Sequence, residues 1–337
     1  MELDSKLNAY RVIGVESSPY AVKVRAVLRY RRIPHIWVGR MPQFFTETAN
    51  VRPLIMPVVQ FPDGEYRTDS TPIIRDLESL HVGRSVEPDD LANNFLSDLI
   101  EDLADEWLTK CLFNYRFSRP EDQISGASWV IDDAHPLLSD EALQQLVSEF
   151  IQRQVARMPL VGCTPENTPV LERFFIQLLN CLEPFVQTDR FLFGSRPSLA
   201  DFGLYAQLKT MSGDPTGAKL MNEQAPRTVR WIRRLDDTSG VDGRWDIARP
   251  GTVMQLVTLA GHYYLPFLAE NWRALQAGDE SIDMLIDGQT YRQPVFRYQA
   301  KCYDFLRHRF ESLPHAVHVR LDPILEEADC LRFLNDR

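Results

Sequence analysis

The sequence predicts an α+β, mostly α protein, with a small N-terminal α/β unit followed by helices to near the end of the chain. Three observations predict it. Short β-rich runs bounded by turn residues crowd the first 82 residues and almost vanish afterwards. A Ser18-Pro19 helix start separates the first two of those runs. From residue 89 onward, apolar residues recur with helical spacing.

Tyr10-Arg11-Val12-Ile13-Gly14-Val15 reads as the first strand. Ser18 then supplies an N-cap oxygen and Pro19 a preset first helical residue. Tyr20, Val24, Val27 and Leu28 predict one buried stripe on that helix, which ends at Ile33-Pro34. His35 to Val38 reads as a second strand, and 41–52 as a loop or short irregular helix. Val58 to Phe61 and Glu65 to Thr68 flank Asp63-Gly64, a strong hairpin signal. Ile73, Ile74, Leu77 and Leu80 mark the next helix. The order β-α-β then β-β-α requires a crossover between parallel strands plus an antiparallel hairpin. After a polar linker at 83–88, the spacing predicts helices over Leu91–Phe117, Ser139–Met158, Pro169–Thr188, Ser198–Met211 and Asn222–Asp237. Beyond Gly240–Gly243 it predicts a helix over Val253–Gln276, a hairpin at Asp287-Gly288, and helices over Val295–Leu313 and Pro323–Asn335. Three units follow: 9–82, 89–237 and 244–337.

A 44% apolar, 25% charged composition is that of an ordinary soluble protein, and no apolar run approaches the roughly 20 residues that span a bilayer. The start lacks a signal peptide's basic flank and apolar block, so a cytoplasmic location is expected. A net charge of −10 argues against nucleic-acid binding, because phosphate contacts need a basic surface. The charge is uneven: residues 1–84 hold 12 Lys/Arg against 9 Asp/Glu. No acid lies between Ser17 and Thr46, and no base between Ser85 and Glu106. These two stretches read either as solvated helix faces or as faces that meet across a boundary. The five cysteines form no pairing or zinc pattern, and His315-x-x-His318 lacks a third ligand, so no metal is expected.

The chemistry concentrates at three helix or strand starts. Met56-Pro57-Val58 opens a strand on proline, which is tolerated there and whose preceding bond adopts cis at modest cost. A bend at Pro57 turns the main-chain groups of Met56 toward a peptide-like ligand. Asp69-Ser70 stands at a helix start, where N–H groups and the dipole attract a carboxylate.

Four motifs in this order resemble the cytosolic glutathione S-transferase superfamily. Ser17-Ser18-Pro19-Tyr20 resembles the signature of its serine-type, tau-, omega- and zeta-like members. Met56-Pro57 resembles the pre-cis-proline element, and Asp69-Ser70 the pair that holds the γ-glutamyl end of glutathione. Gly194 to Asp201 resembles the capping box of the second, all-helical domain. The resemblance covers about residues 9–237, and the last hundred residues are similar in length only to long bacterial relatives.

The resemblance implies a thioredoxin-like domain, an all-α domain and glutathione as cosubstrate. It implies a transferase in which Ser18 hydrogen-bonds the glutathione sulfur and presents it to a hydrophobic electrophile. Met56, Pro57, Asp69, Ser70, Arg40 and Gln43 would hold glutathione, and Tyr20, Trp107 and Tyr115 the electrophile. A homodimer is implied as well. Other readings stand beside these. In them Ser18 is a cap alone, worth about 1 kcal/mol, or Ser17 is the donor. Asp69 and Ser70 only cap a helix, Arg40 and Gln43 are solvated, and the aromatic residues are core. A non-catalytic scaffold and a glutathione-dependent lyase, isomerase or dehalogenase are the rival functions. Serine at 18 forms no mixed disulfide, which disfavours thiol-transferase chemistry.

Overall fold

The computed structural model describes residues 9–39, 46–135, 138–186 and 191–335. Arg40 and Gln43 lie outside them.

Strand β1 (Tyr10–Gly14) runs parallel to β2 (His35–Gly39) and antiparallel to β3 (Val58–Gln60), which pairs antiparallel with β4 (Tyr66–Thr68). The sheet order is β2-β1-β3-β4. Helix α1 (Pro19–Tyr30) makes the crossover that parallel β1 and β2 require, and α2 (Ser70–Leu80) follows the hairpin. This is a thioredoxin-like arrangement. The hairpin turn falls at Asp63-Gly64, where Gly64 takes φ 92°.

Helix α1 is buried on nearly every side instead of along one stripe. Val22, Val24, Val27 and Leu28 are fully covered, and so is Lys23. The sheet takes one face of α1, and α8 (Leu199–Met211) packs on another. Spacing within the helix reports one apolar stripe and says nothing of a second layer.

The expected long helix over Leu91–Phe117 is α3 (Leu91–Leu103), one π-helical turn (Ala104–Leu108) and α4 (Thr109–Ser118) in unbroken succession. Single π turns inside α-helices occur frequently at functional sites. Helix α5 (Pro120–Ala134), absent from the sequence reading, opens with proline at its first position. Helices α6 (Asp140–Arg157) and α7 (Thr168–Phe185) fall close to their expected spans. The capping box before α8 is complete: Ser198 accepts from the Asp201 N–H, and the Asp201 side chain accepts from Ser198 N–H. One helix expected over Asn222–Asp237 is two, α9 (Pro215–Gln224) and α10 (Pro226–Leu235), because Pro226 starts a helix and cannot continue one.

The C-terminal part holds α11 (Gly251–Leu259), a π turn (Ala260–Tyr264), α12 (Leu265–Ala277), the hairpin β5 (Ser281–Ile286) and β6 (Gln289–Pro294), α13 (Arg297–Glu311), α14 (His315–Glu327) and α15 (Leu331–Leu334). Pro323 lies inside α14 instead of starting a helix; Val319, whose carbonyl it cannot serve, is well exposed.

The acidic and basic stretches meet within the chain at Lys23, which pairs with Glu101 and with Asp105 at 2.6 Å, and the acids also take arginines from elsewhere. Asp98, only 2% exposed, takes Arg75 of α2 at 3.2 Å and Arg309 of α13 at 2.9 Å. Asp90 takes Arg320 at 2.8 Å, and Asp236 takes Arg29 at 2.6 Å. Neither stretch is a solvated face. No helix among the described residues is long and apolar enough to cross a membrane.

Candidate functional site

Strand register brings three of the sequence motifs to one end of the sheet. Val58 pairs with Ile13 on one side and Thr68 on the other. Pro57 therefore stands between the loop that leads to Ser18 and the residue, Asp69, that follows Thr68. The Met56–Pro57 bond is cis, as expected. Met56 is half-buried and lies outside the strand ladder.

Ser18 is the N-cap of α1 and accepts a long 3.4 Å bond from the Ala21 N–H. It is half-exposed. Its neighbour Ser17 is buried against the helical part: its N–H donates to Asp133 at 2.9 Å and its carbonyl accepts from Arg116 at 3.3 Å. Of the two serines, Ser18 is the accessible one.

Asp69 occupies the N-cap position of α2, yet its carboxylate caps nothing. Its backbone takes φ 75°, a region costly for a residue with a Cβ and most often tolerated where function requires it. The carboxylate accepts instead from the Tyr298 hydroxyl on α13, at 2.7 Å. Burial, and then the Asp69 charge, push the Tyr298 hydroxyl well above the usual tyrosine range, so it stays a donor. Ser70 is buried at the start of α2.

The aromatic expectations divide. Tyr20 lines a cavity of about 240 Å³, and its hydroxyl donates to the Asp105 carbonyl at 2.9 Å. Trp107 and Tyr115 are corrected to core residues. Trp107 is fully buried among Phe267, Tyr291, Phe174 and Tyr263, with ring centres 5.2–6.4 Å away. Tyr115 packs on Phe175 at 5.4 Å. Both are turned into the layer made with α7, and Trp107 also meets the C-terminal part, whose contacts the helix's own spacing does not carry.

A larger cavity of about 440 Å³ lies between α2, the π turn after α3, and α13. Asp69, Thr71 and Arg75 form one wall, Glu101, Asp102, Asp105 and Glu106 a second, and Tyr298, Lys301, Cys302 and Phe305 the third. Sequence reasoning missed this cluster. Lys23 of α1 reaches into it, donating to Asp105 at 2.6 Å and to Glu101, with Thr71 at 3.2 Å. Burial pulls the Lys23 ammonium down, but the Asp105 and Glu101 charges outweigh it and hold it above ordinary lysine. Burial pushes Asp102 up to about 8, with the Glu101 charge adding to it, and Tyr264 donates to Asp102 at 2.8 Å. Glu106 is pushed well up by burial, then by Asp102 and Asp105. Burial of Cys302 raises its thiol far above the usual range, so it is inert as a nucleophile. One signal was available: Glu101 with Asp105, and Asp102 with Glu106, are like-charged pairs one helical turn apart, which repel without an outside partner.

Among the described residues no group of His, Cys, Asp and Glu is arranged to hold a metal, and His318 instead meets Asp322 at 3.1 Å.

A family model for the glutathione S-transferase N-terminal domain matches residues 17–80, and one for the C-terminal domain matches 168–234. Among solved structures, the chain is similar to a beta-etherase from Sphingobium sp. strain SYK-6, at 18% identity over 73% of this chain and 98% of that one, TM-score 0.46. It is similar to a glutathione S-transferase from Rhodospirillum rubrum F11, at 18% identity over 74% and 92%, TM-score 0.42. A third is a glutathione-bound glutathione S-transferase from Methylobacillus flagellatus KT, at 19% identity over 66% and 93%, TM-score 0.39. Comparison with curated proteins found no match. The two domain models fall in order along the chain, the first on the sheet unit that carries Ser18, Pro57 and Asp69 and the second on the helices behind it, so residues 17–80 and 168–234 carry the N- and C-terminal domains of a glutathione S-transferase.

Proposed function

We propose that the protein is a glutathione transferase that ionises the glutathione thiol beside Ser18 and joins it to an apolar electrophile. The observation that carries this reading is the half-buried Ser18 at the N-terminus of α1, across the sheet end from Asp69 and the cis Met56–Pro57 bond. A hydroxyl donor and a helix N-terminus both favour an anionic sulfur, as they do for protein thiols. The Asp69 carboxylate suits the ammonium of the γ-glutamyl end, and the Met56 main chain suits the peptide part. With the sulfur anion held, its electron pair forms the carbon–sulfur bond and the leaving group departs with its own pair. Positioning and charge stabilisation supply the rate. Tyr20 and the cavity it lines suit the electrophile.

Residues 9–82, 89–237 and 244–337 are proposed as the glutathione-binding, helical and C-terminal units. A homodimer would use a face other than the α3 surface that Arg309 and Arg320 already occupy, and sedimentation across concentrations tests it. A cytoplasmic location accords with five free cysteines.

A second reading, a glutathione-dependent lyase, is favoured by Asp102 and Glu106. Asp102, pushed up to about 8, keeps its proton near neutral pH beside a cavity and can protonate a departing oxygen, and burial pushes Glu106 in the same direction. Calorimetry with glutathione and a conjugation assay with a chlorinated aromatic decide between them. Binding with conjugation supports the transferase, and binding without conjugation supports the lyase. No binding leaves a non-catalytic scaffold and overturns both.

A further inference from the structure

Among the described residues two lysines are buried, and one of the two has a carboxylate partner. Lys23 is matched by Glu101 and Asp105. Lys110, on α4, is 2% exposed and has no carboxylate within ion-pair distance among the described residues. Its ammonium donates to the Val161 carbonyl at 3.0 Å and to Gln293 Oε1 at 2.6 Å. An ammonium has three donors, so one proton is left over. The Phe267 ring stands 4.5 Å away and contributes a weak cation–π attraction. Glu106, one turn earlier on the same helix run and also on the cavity wall, makes no ion pair with it: its carboxyl accepts from Gln299 at 3.3 Å, and burial pushes it well up, toward the neutral form. Burial pulls Lys110 down to about 8, so it is still charged at neutral pH. An unpaired buried charge is costly unless an anion meets it.

Lys110 and Val161 both line the cavity of about 240 Å³ that Tyr20, Phe113, Phe296 and Tyr298 wall with rings. We infer that this cavity takes a small aromatic molecule carrying an anionic oxygen, with Lys110 as its countercharge. The inference rests on the transferase reading for its role and narrows it: the apolar part of the second substrate is an aromatic ring, and it carries one anionic oxygen.

The test is calorimetry on the full chain at neutral pH with 3-phenylpropanoate and its uncharged counterpart, 3-phenylpropanamide. The acid is expected to bind at least tenfold more tightly than the amide. Lys110→Met should abolish that preference. Phe113→Trp, which fills the cavity, should weaken the acid several-fold and serves if Lys110→Met does not fold. Equal affinity for acid and amide, failure of both to bind, or a preference that survives Lys110→Met overturns the inference. So does unchanged affinity in Phe113→Trp. Glutathione titrated into the same preparation separates the two readings: glutathione binding without an anion preference removes this inference alone, and loss of glutathione binding removes the transferase reading.

Discussion

Tyr298 donates its hydroxyl to Asp69 at 2.7 Å across 229 residues of sequence. The donor stands on the C-terminal helix α13, and the acceptor is the residue that the N-terminal unit holds in a strained conformation at the start of α2. The C-terminal part thus closes over the proposed glutathione site and uses the carboxylate that a γ-glutamyl ammonium needs.

Tyr298→Phe should therefore tighten glutathione binding. Hydrogen bonds to charged groups contribute about 1.5–3 kcal/mol, so release of Asp69 is expected to lower the dissociation constant by about tenfold. Asp69→Ala should weaken binding several-fold. Calorimetry checks both, and an unchanged constant in both variants removes Asp69 from the ligand site.

Ser18→Ala should lower turnover at least tenfold and move the pH–rate profile toward higher pH, because the bound thiol loses the donor that favours its anion. Glutathione affinity should change little. Its loss of stability should stay near the roughly 1 kcal/mol of an N-cap, read by urea unfolding. Turnover equal to that of the parent across the profile leaves Ser18 as a cap only.

Lys23→Met should destabilise strongly. The ammonium is fully buried, and its removal strands Glu101 and Asp105 in the interior, a loss of about 3–5 kcal/mol for a broken buried pair. Urea unfolding measures it. A loss below 1 kcal/mol, on the order expected of surface pairs, shows that water reaches the cluster.

Asp102→Asn should flatten the pH dependence of stability. Asp102 titrates at about 8 in the fold and near 4 when unfolded, so the fold binds the proton more tightly. Its stabilising contribution is complete below about pH 4 and is lost as pH rises through about 8. The asparagine keeps an acceptor for the Tyr264 hydroxyl and carries no charge. Its thermal midpoint should gain on the parent by a few degrees between those limits and then level off. A constant difference across the range contradicts a protonated Asp102.

The parts of this protein that were legible from sequence are those that a few adjacent residues specify. Ser18-Pro19 caps and starts a helix through its own oxygen and ring, Asp63-Gly64 turns a hairpin through the backbone freedom of glycine, and Ser198 with Asp201 closes a box over three residues. Most misses share another cause. Trp107 and Tyr115 turning into the core and Lys23 sinking against Glu101 and Asp105 depend on which layer lies against the helix, whereas Pro226 splits one expected helix through its own ring and missing N–H.

The sequence by itself determined the order of the strands and of most helices, the Asp63-Gly64 turn and the serine at a helix start, because short-range sterics and hydrogen bonding act between neighbours; the cis linkage before Pro57 is expected from the resemblance. Tertiary structure alone decided that Tyr298 reaches Asp69, that the acidic helix faces Lys23 and the C-terminal arginines, and that Lys110 meets no carboxylate among the described residues. Burial and charge pairing operate through space, and the residues they join stand as many as 230 positions apart.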